Sequence, residues 1–516
     1  MRQWLPAGHA AWLVIEAVRL VDTSAFHARR RTGGAGAAGY DPDMMVTLLV
    51  WAYANGITSS RRIERLCQQD VAFRVICAGN LPDHVTVARF RQQFAETAAD
   101  LFAQVLLLCA RLGMGQVGTI ALDGTKIGAD ASKEANRTEE GLRKLAADLA
   151  ARHAEQDARE DALFGDGRGD DDPGDPFTRA ERVAAALASL EAERKAREEA
   201  EREVAEQRLE AARAGNPVTG HRPAVADVAL AEAKVAAETA AYREKTRARQ
   251  EAAAAAGRRP RGGPPVPPEE YCRVREARAG LERARARAAA RAEAAPQDRK
   301  EKDGKKKEPA RRNVTDPGSR LMPVRGGGFI QGYNAQNVTS EDGLLIATRL
   351  TWDTGDVRWW EQMMKDAAAA AAAMAAAGGP GGPVRLALAD AGYLSGHNLT
   401  CPGPDRLIAT GKRRDLEKAA RTAADGDGGG DRGESAIAAM AARLATPEGI
   451  AAYRMRGHIA ETPHGNIKHN LAVRRLSVRG IRKASGEWAF IAAVHNLTKA
   501  IAAGRLTPQA LAGLAG

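Results

Sequence analysis

The feature that most constrains this 516-residue chain is the tract from about 133 to 312, more than half of which is Ala, Glu and Arg, with almost no aromatic residues. Its apolar positions are mostly Ala, so it lacks the bulky side chains that would bury enough surface to build a packed core. Three runs in it are helix-forming: Arg179 to Ala214, Ala224 to Ala256 and Glu269 to Ala294. DGRGDDDPGDP, GNPVTGHRP and GRRPRGGPPVPP interrupt them, and the tract leaves through the basic run KEKDGKKKEPARR. No Leu heptad is sustained, so any coiled-coil seam is weak. The composition predicts a long helical insertion with disordered joints; disorder throughout is the competing reading. The low overall aromatic content, 4%, traces largely to this tract.

Charge narrows the partner. Lys and Arg number 76 against 65 Asp and Glu, a formal net charge of +11, which favours a polyanion, nucleic acid ahead of an anionic membrane surface. No apolar run reaches the roughly 20 residues that span a bilayer; the longest is Ala367 to Ala377, stopped by Gly-Gly-Pro. The first twenty residues carry Glu16 and Arg19 within their apolar pattern, unlike a signal peptide. These observations predict a cytoplasmic protein without membrane association. The five cysteines, at 67, 77, 109, 272 and 401, form no CxxC pair and are expected as free thiols.

Residues 8 to 112 have helical patterning. Asp41 to Ala54 has a capping Asp, a Pro in its first turn and Gly56 at its end; Ser59 or Ser60 can cap a helix through Gln69 with Arg61, Arg62 and Arg65 on one side. DHVTVARFRQQF, from Asp83 to Phe94, turns Val87 and Phe90 inward and leaves Arg89 and Arg91 for another face. Short helices with a basic last member have the outline of a helix-turn-helix, which predicts DNA contact through Arg89 and Arg91; a small helical bundle with a solvated basic face is the alternative.

Beyond Gly118 the texture is that of strands. TIALDGTKIGADAS reads as a buried strand that presents Asp123; GFIQGYNA, LLIATRLT, VRLALA and RLIAT read as further strands, with a helix over 358–377 and helices through the last hundred residues. With the insertion set aside, this order predicts a mixed α/β sheet. Asp123 and Asp390 each end a strand and are followed by a small residue, the place where open α/β sheets meet ligands, although an Asp there is ordinarily a turn or a helix cap. A third acid, Glu461, stands in the basic segment YRMRGHIAETPHGNIKHN, seven residues before Lys468. Pro463 predicts that the helix kinks or starts there. Glu461 and His464 form a single ExxH pair, too few for a di-iron bundle, and His458, His464 and His469 have no Cys nearby to suggest zinc. No GxxxxGK[ST] occurs, so no nucleotide cofactor is expected. Trp488 and Asn496 read as the core and the cap of the closing helix.

These segments together resemble the bacterial insertion-sequence DDE transposases with a Tyr-Arg-Glu-Lys pattern around the last acid. The resemblance runs through the helical region of about 35 to 110, the ALDGTKIGADAS strand, TDPGSRLMPVRGGGFIQGYNAQ, LADAGYLS and most of 440 to 503; it does not cover most of 133 to 312. One residue more separates Arg456 from Glu461 than in the broader pattern. The resemblance implies an RNase H-like catalytic domain in which Asp123, Asp390 and Glu461 bind two Mg²⁺ ions, with Mn²⁺ as a substitute. It implies DNA contact near the cut by Tyr453, Arg456 and Lys468. Lys126, three residues after Asp123, reads either as an exposed hairpin lysine or as a group that steadies a phosphate, and Arg474 and Arg475 lie in the basic stretch after the third acid, where lysines and arginines on phosphates would add affinity and a solvated helix face is the alternative. The implied partners are the DNA of element ends and target, with a homo-oligomer forming on DNA and a nucleoid-associated location. The expected organisation is a helical DNA-binding domain at 1–115, a catalytic domain at 116–132 and 313–503, the insertion at 133–312 and a tail at 504–516. A nuclease of the same fold without strand transfer, a catalytically inactive DNA-binding repressor and a helical scaffold built on the insertion are the rival readings.

Overall fold

A computed structural model of the chain describes residues 3–28, 30, 39–94, 97–164, 179–213, 223–257, 264–293, 310–324, 326–411 and 432–515. The joint DGRGDDDPGDP, nearly all of GNPVTGHRP, most of the basic exit run and the acidic loop after Gly411 lie outside the described residues. Two compact units result, one from 1–136 and 313–516 and the other from the tract between them, apart from 179–182, which group with the first.

In the second unit, helices Asp227–Ala255 and Cys272–Glu293 pack as a hairpin. With so many Ala contacts, fixed side-chain pairs supply the specificity. Arg287 forks onto both oxygens of the buried Asp227 at 3.0 Å, and Tyr242 stacks on Tyr271 at 4.3 Å between ring centroids. Helix Arg179–Arg213 buries Val183, Ala186 and Leu190.

The first unit is built on a six-stranded mixed sheet: β1 (Thr119–Gly128), β2 (Arg320–Pro323), β3 (Phe329–Ser340), β4 (Leu345–Thr351), β5 (Leu386–Ala389) and β6 (Asp405–Ile408). β1 is central, antiparallel to β3 with Asp123 opposite Asn337, and parallel to β5 with Leu122 opposite Ala389. β3 carries β2 and β4 antiparallel on its other edge, and β6 lies parallel beside β5. Helix Trp360–Ala376 makes the crossover that brings β5 parallel to β1, a connection that parallel strands require. This arrangement, a mixed sheet with many helices, is compatible with an RNase H-like fold.

The N-terminal helices join the same core rather than standing apart. Helix Ala98–Arg111 packs along the closing helix Ile481–Ala502, and one apolar cluster runs from Val14 and Leu48 through Leu106 and Ile120 to Trp488 and Val494. Asp41 caps helix Pro42–Ala54 by accepting from the Asp43 and Met44 backbones at 3.0 and 3.2 Å. Helix Ser60–Gln69 begins without a side-chain cap from Ser59. Cys67, Cys77, Cys109 and Cys401 are buried free thiols and Cys272 is an exposed one.

Two local expectations are corrected. Asn496 is no cap: it is fully buried inside Ile481–Ala502 and bonds both backbone groups of Leu345 at 2.8 Å, so it fastens the helix to the start of β4. Helix Pro447–Gly465 does not start at Pro463; it runs through it and continues as a π-helical turn, Asn466–Asn470. Pro463 sits within a buried stretch of that helix, and its packing holds the helix where propensity alone would end it.

Candidate active site

Strand alternation sorts the side chains of β1 onto two faces. Asp123 and Thr125 face the helix Pro447–Gly465 and the turn after it: Arg456 reaches Asp123, and the Lys468 ammonium donates to the Thr125 hydroxyl. Gly124 and Lys126 face the loop between β4 and helix Trp360–Ala376, where Lys126 donates to the Thr354 carbonyl at 3.0 Å and pairs with Asp356 at 3.6 Å. Asp390 follows the last residue of β5 and accepts from the Gly392 backbone at 2.9 Å, opening a short 3₁₀ turn.

Three of the sequence-predicted residues converge on one guanidinium. Arg456 Nη2 lies 3.1 Å from Asp123 Oδ1 and 3.8 Å from Asp390 Oδ2, and its Nη1 lies 4.0 Å from Glu461 Oε1. Residues separated by hundreds of positions therefore share one centre. Exposure rises across it, from Asp123 with 16% of its side chain accessible to Glu461 with 64%, so the centre opens outward from the sheet toward the helix. One guanidinium offsets one of three formal negative charges, and its buried Nε has no hydrogen-bond partner among the described residues.

The electrostatics follow from burial. Asp390 is pushed above the usual carboxylate range by burial and by Asp123, against the pull of Arg456. Burial lowers both Lys126 and Lys468, opposed by nearby carboxylates. Burial raises Tyr453, whose hydroxyl donates to the Ala389 carbonyl at 3.2 Å and so ties the helix to the strand just before Asp390.

Behind the acids stands a layer of polar residues that sequence reasoning did not assign to the site: it weighed His464 only as a metal ligand and passed over Asn337. His464 Nδ1 lies 3.5 Å from Asp123 Oδ2, and its Nε2 lies 3.0 Å from the Asn337 amide. With Nε2 accepting from that amide, the ring proton falls on Nδ1, toward Asp123. Asn337 is held in turn by Thr348 at 2.6 Å and by the Trp488 indole at 3.2 Å. The signal for this layer is the polar string of β3, Gln331 to Asn337, which stays buried in mid-sheet.

The remaining basic residues separate. Arg89 is exposed, whereas Arg91 turns inward to donate to the Tyr53 hydroxyl and the Thr58 carbonyl. Arg474 is exposed and bonds the Lys468 carbonyl at 3.3 Å; Arg475 and Arg479 both pair with Asp130, at 2.6 and 3.1 Å. The 474–476 backbone adds to the end of β1, with Gly128 N–H bonding the Arg474 carbonyl and Leu476 N–H bonding the Gly128 carbonyl, so these arginines lie beside the strand that carries Asp123.

Carboxylate oxygens directed at one centre, without a thiol among them, suit a hard divalent cation. No single helix among the described residues is long and apolar enough to cross a membrane. Two family models match the chain: a Transposase domain (DUF772) over residues 1–93, and a Transposase DDE domain over residues 431–501, a stretch that includes Tyr453, Arg456, Glu461 and Lys468. Asp123 and Asp390 lie outside both stretches. No curated protein and no solved structure matches it.

Proposed function

Because the chain belongs to the insertion-sequence DDE transposases, enzymes that cleave and transfer DNA strands, we propose that Asp123, Asp390 and Glu461 hold two divalent cations and that the chain works by transesterification on an RNase H-like domain. The observation that carries this reading is the convergence of those three carboxylates on Arg456. Asp123, the least exposed of the three, would help to hold both ions, with Asp390 on one and Glu461 on the other. The unneutralised charge of the cluster and its all-oxygen donor set fit Mg²⁺ or Mn²⁺. When bound, such ions activate an attacking oxygen and stabilise the leaving one.

The chain's own residues do the rest. His464 and Arg456 fix the orientation of Asp123, and Asn337 fixes His464. Lys468, anchored on Thr125, holds a positive charge beside the acids where a phosphate can be received. Arg474 and Arg89, both exposed, extend the DNA contact outward, and each phosphate contact adds salt-dependent affinity. A homo-oligomer on DNA belongs to the same proposal, since cutting two element ends and joining them to a target calls for more than one such site.

The test is strand transfer itself. Purified chain, Mg²⁺ and a duplex bearing the repeats that flank its coding sequence should give joined products, and Asp390→Asn should abolish both joining and nicking while DNA affinity stays near normal. Nicks without joined products would identify a nuclease instead, and full activity in Asp390→Asn would remove that residue from the centre.

A further inference from the structure

A fourth carboxylate reaches the same centre from the other face of β1. Asp356 lies in the loop between β4 and helix Trp360–Ala376, opening a short 3₁₀ turn to which its side chain contributes no capping bond. Its two oxygens are treated differently. Oδ1 is fixed by the Asn334 amide at 2.6 Å, the Gln336 amide at 2.7 Å and Lys126 at 3.6 Å. Oδ2 has no hydrogen bond among the described residues, and it borders the same spot as an Asp390 oxygen: a Cβ placed on Gly392 would lie 3.2 Å from Asp356 Oδ2 and 2.9 Å from Asp390 Oδ1.

Gly124, next to Asp123 in mid-strand, and Gly392, two residues after Asp390, make room for this carboxylate. A Cβ on Gly124 would come within 2.6 Å of Asp356 Oδ1, 2.8 Å of Gln336 Nε2 and 3.1 Å of Asn334 Oδ1, closer than packed atoms tolerate at the first two. Asn334 adds an independent sign. It is fully buried, yet its side-chain oxygen has no partner among the described residues, and that oxygen borders the notch over Gly124. An orphaned buried acceptor is costly unless something else occupies the site.

We propose that Asp356 is a fourth carboxylate ligand of the cation centre, on the ion held by Asp390. One oxygen clamped by amides and the other left open toward a second carboxylate is how a protein presents a ligand to a hard cation. The cluster is thereby approached from both faces of the sheet, Glu461 from one helix and Asp356 from the opposite loop. This inference rests on the reading of Asp123, Asp390 and Glu461 as cation ligands.

The test is Mn²⁺ binding to the full chain, followed by electron paramagnetic resonance of the free ion, so no catalysis enters the readout. Asp356→Asn keeps an oxygen to accept from Asn334 and Gln336 while replacing Oδ2 with an amide. It should weaken Mn²⁺ binding by about tenfold or more, as should Asp390→Asn. If Asp390→Asn weakens binding while Asp356→Asn matches the wild type, the fourth ligand is overturned and the three-acid reading stands. If neither substitution changes Mn²⁺ affinity, or the wild type binds none, the three-acid reading fails and the fourth ligand fails with it. Should Asp356→Asn lose its fold because Lys126 is left unpaired, Lys126→Met/Asp356→Asn removes that charge too and is read against Lys126→Met alone.

Discussion

Glu487 is where the N-terminal helices are fastened to the catalytic core, and its removal has a calculable cost. The carboxylate is buried and accepts four hydrogen bonds: from the Tyr53 hydroxyl at 3.0 Å, the Ser477 hydroxyl at 2.6 Å, and the backbones of Ser477 and Val478 at 2.7 and 3.2 Å. Arg91 closes the network by donating to the same Tyr53 oxygen at 3.1 Å. Glu487→Ala would leave two backbone donors and two hydroxyls facing a gap. A buried group left unsatisfied costs about 1–3 kcal/mol, but a cavity of about 40 Å³ already borders Tyr53, Arg91 and Glu487 and can admit water to part of them. The expected loss is therefore about 3–5 kcal/mol, below the sum for four unsatisfied groups because water reaches part of them. Tyr53→Phe removes one arm only, and its coupling to Glu487→Ala in a double-mutant cycle should reach about 1 kcal/mol or more. Tryptophan fluorescence in urea is the suitable assay, because all seven tryptophans lie in the first unit and report its unfolding alone. A cost below about 1 kcal/mol, or additivity of the two substitutions within about 0.5 kcal/mol, would refute the reasoning.

Three further outcomes are expected. His495 is held neutral in the core, Nε2 on the Gly343 carbonyl and Nδ1 on the Asn466 amide, and burial pushes it down to about 4; the unfolded chain takes up that proton near 6.5, so stability is full above pH 6.5 and falls by about 3 kcal/mol as pH drops toward 4. In His495→Gln that part of the pH dependence should be missing from urea titrations at pH 7 and pH 4.5. Arg91→Ala should cost about 2–3 kcal/mol of stability, since its charged hydrogen bonds are internal, and leave the salt dependence of DNA binding unchanged; Arg89→Ala should leave melting unchanged and reduce the log–log salt slope by about one. The opposite pattern in filter binding and melting would mean that the helix presents its other face to DNA. Gly124→Ala should lower the melting temperature by an amount corresponding to about 1–3 kcal/mol, because its Cβ would collide with Asp356 and Gln336; a melt equal to wild type would show that the notch can relax.

What the sequence made legible was what local pattern encodes. Asp123 and Asp390 stood out because each closes a short apolar run and precedes a small residue, a property of a few consecutive positions; Asp390 does follow its strand, whereas β1 runs on to Gly128 through its pairing with β3 and leaves Asp123 in mid-strand. The same was true of Asp41 as a cap and of Val87 as a core residue. Asp356 did not stand out, since TWDTGDVRWW reads as a turn entering a helix, and its meaning arises only when β3 pairs with β1 and sets Asn334 and Gln336 beneath it. Arg91 shows the same limit from the other side. Helical period separates Arg89 from Val87, but nothing local says that Arg91 meets a tyrosine 38 residues earlier and, through that tyrosine's hydroxyl, a carboxylate almost 400 residues later.

The glycine after Asp123 joins the two kinds of information. Gly124 lies in mid-strand with its partner Gln336 in register, in a place where a glycine weakens a strand and no turn calls for one. Its reason is steric: the carboxylate of Asp356 fills the space a side chain would take. An Asp-Gly inside a strand pattern is thus a local sign, legible in the amino-acid order, that something polar approaches the backbone beside the acid. The same holds for Gly392 behind Asp390, where the nearest atoms to an added Cβ are the oxygens of Asp390 and Asp356. Both glycines point at the same loop, and a residue in that loop with an oxygen unbonded among the described residues is the one that the local pattern around the two acids could not name.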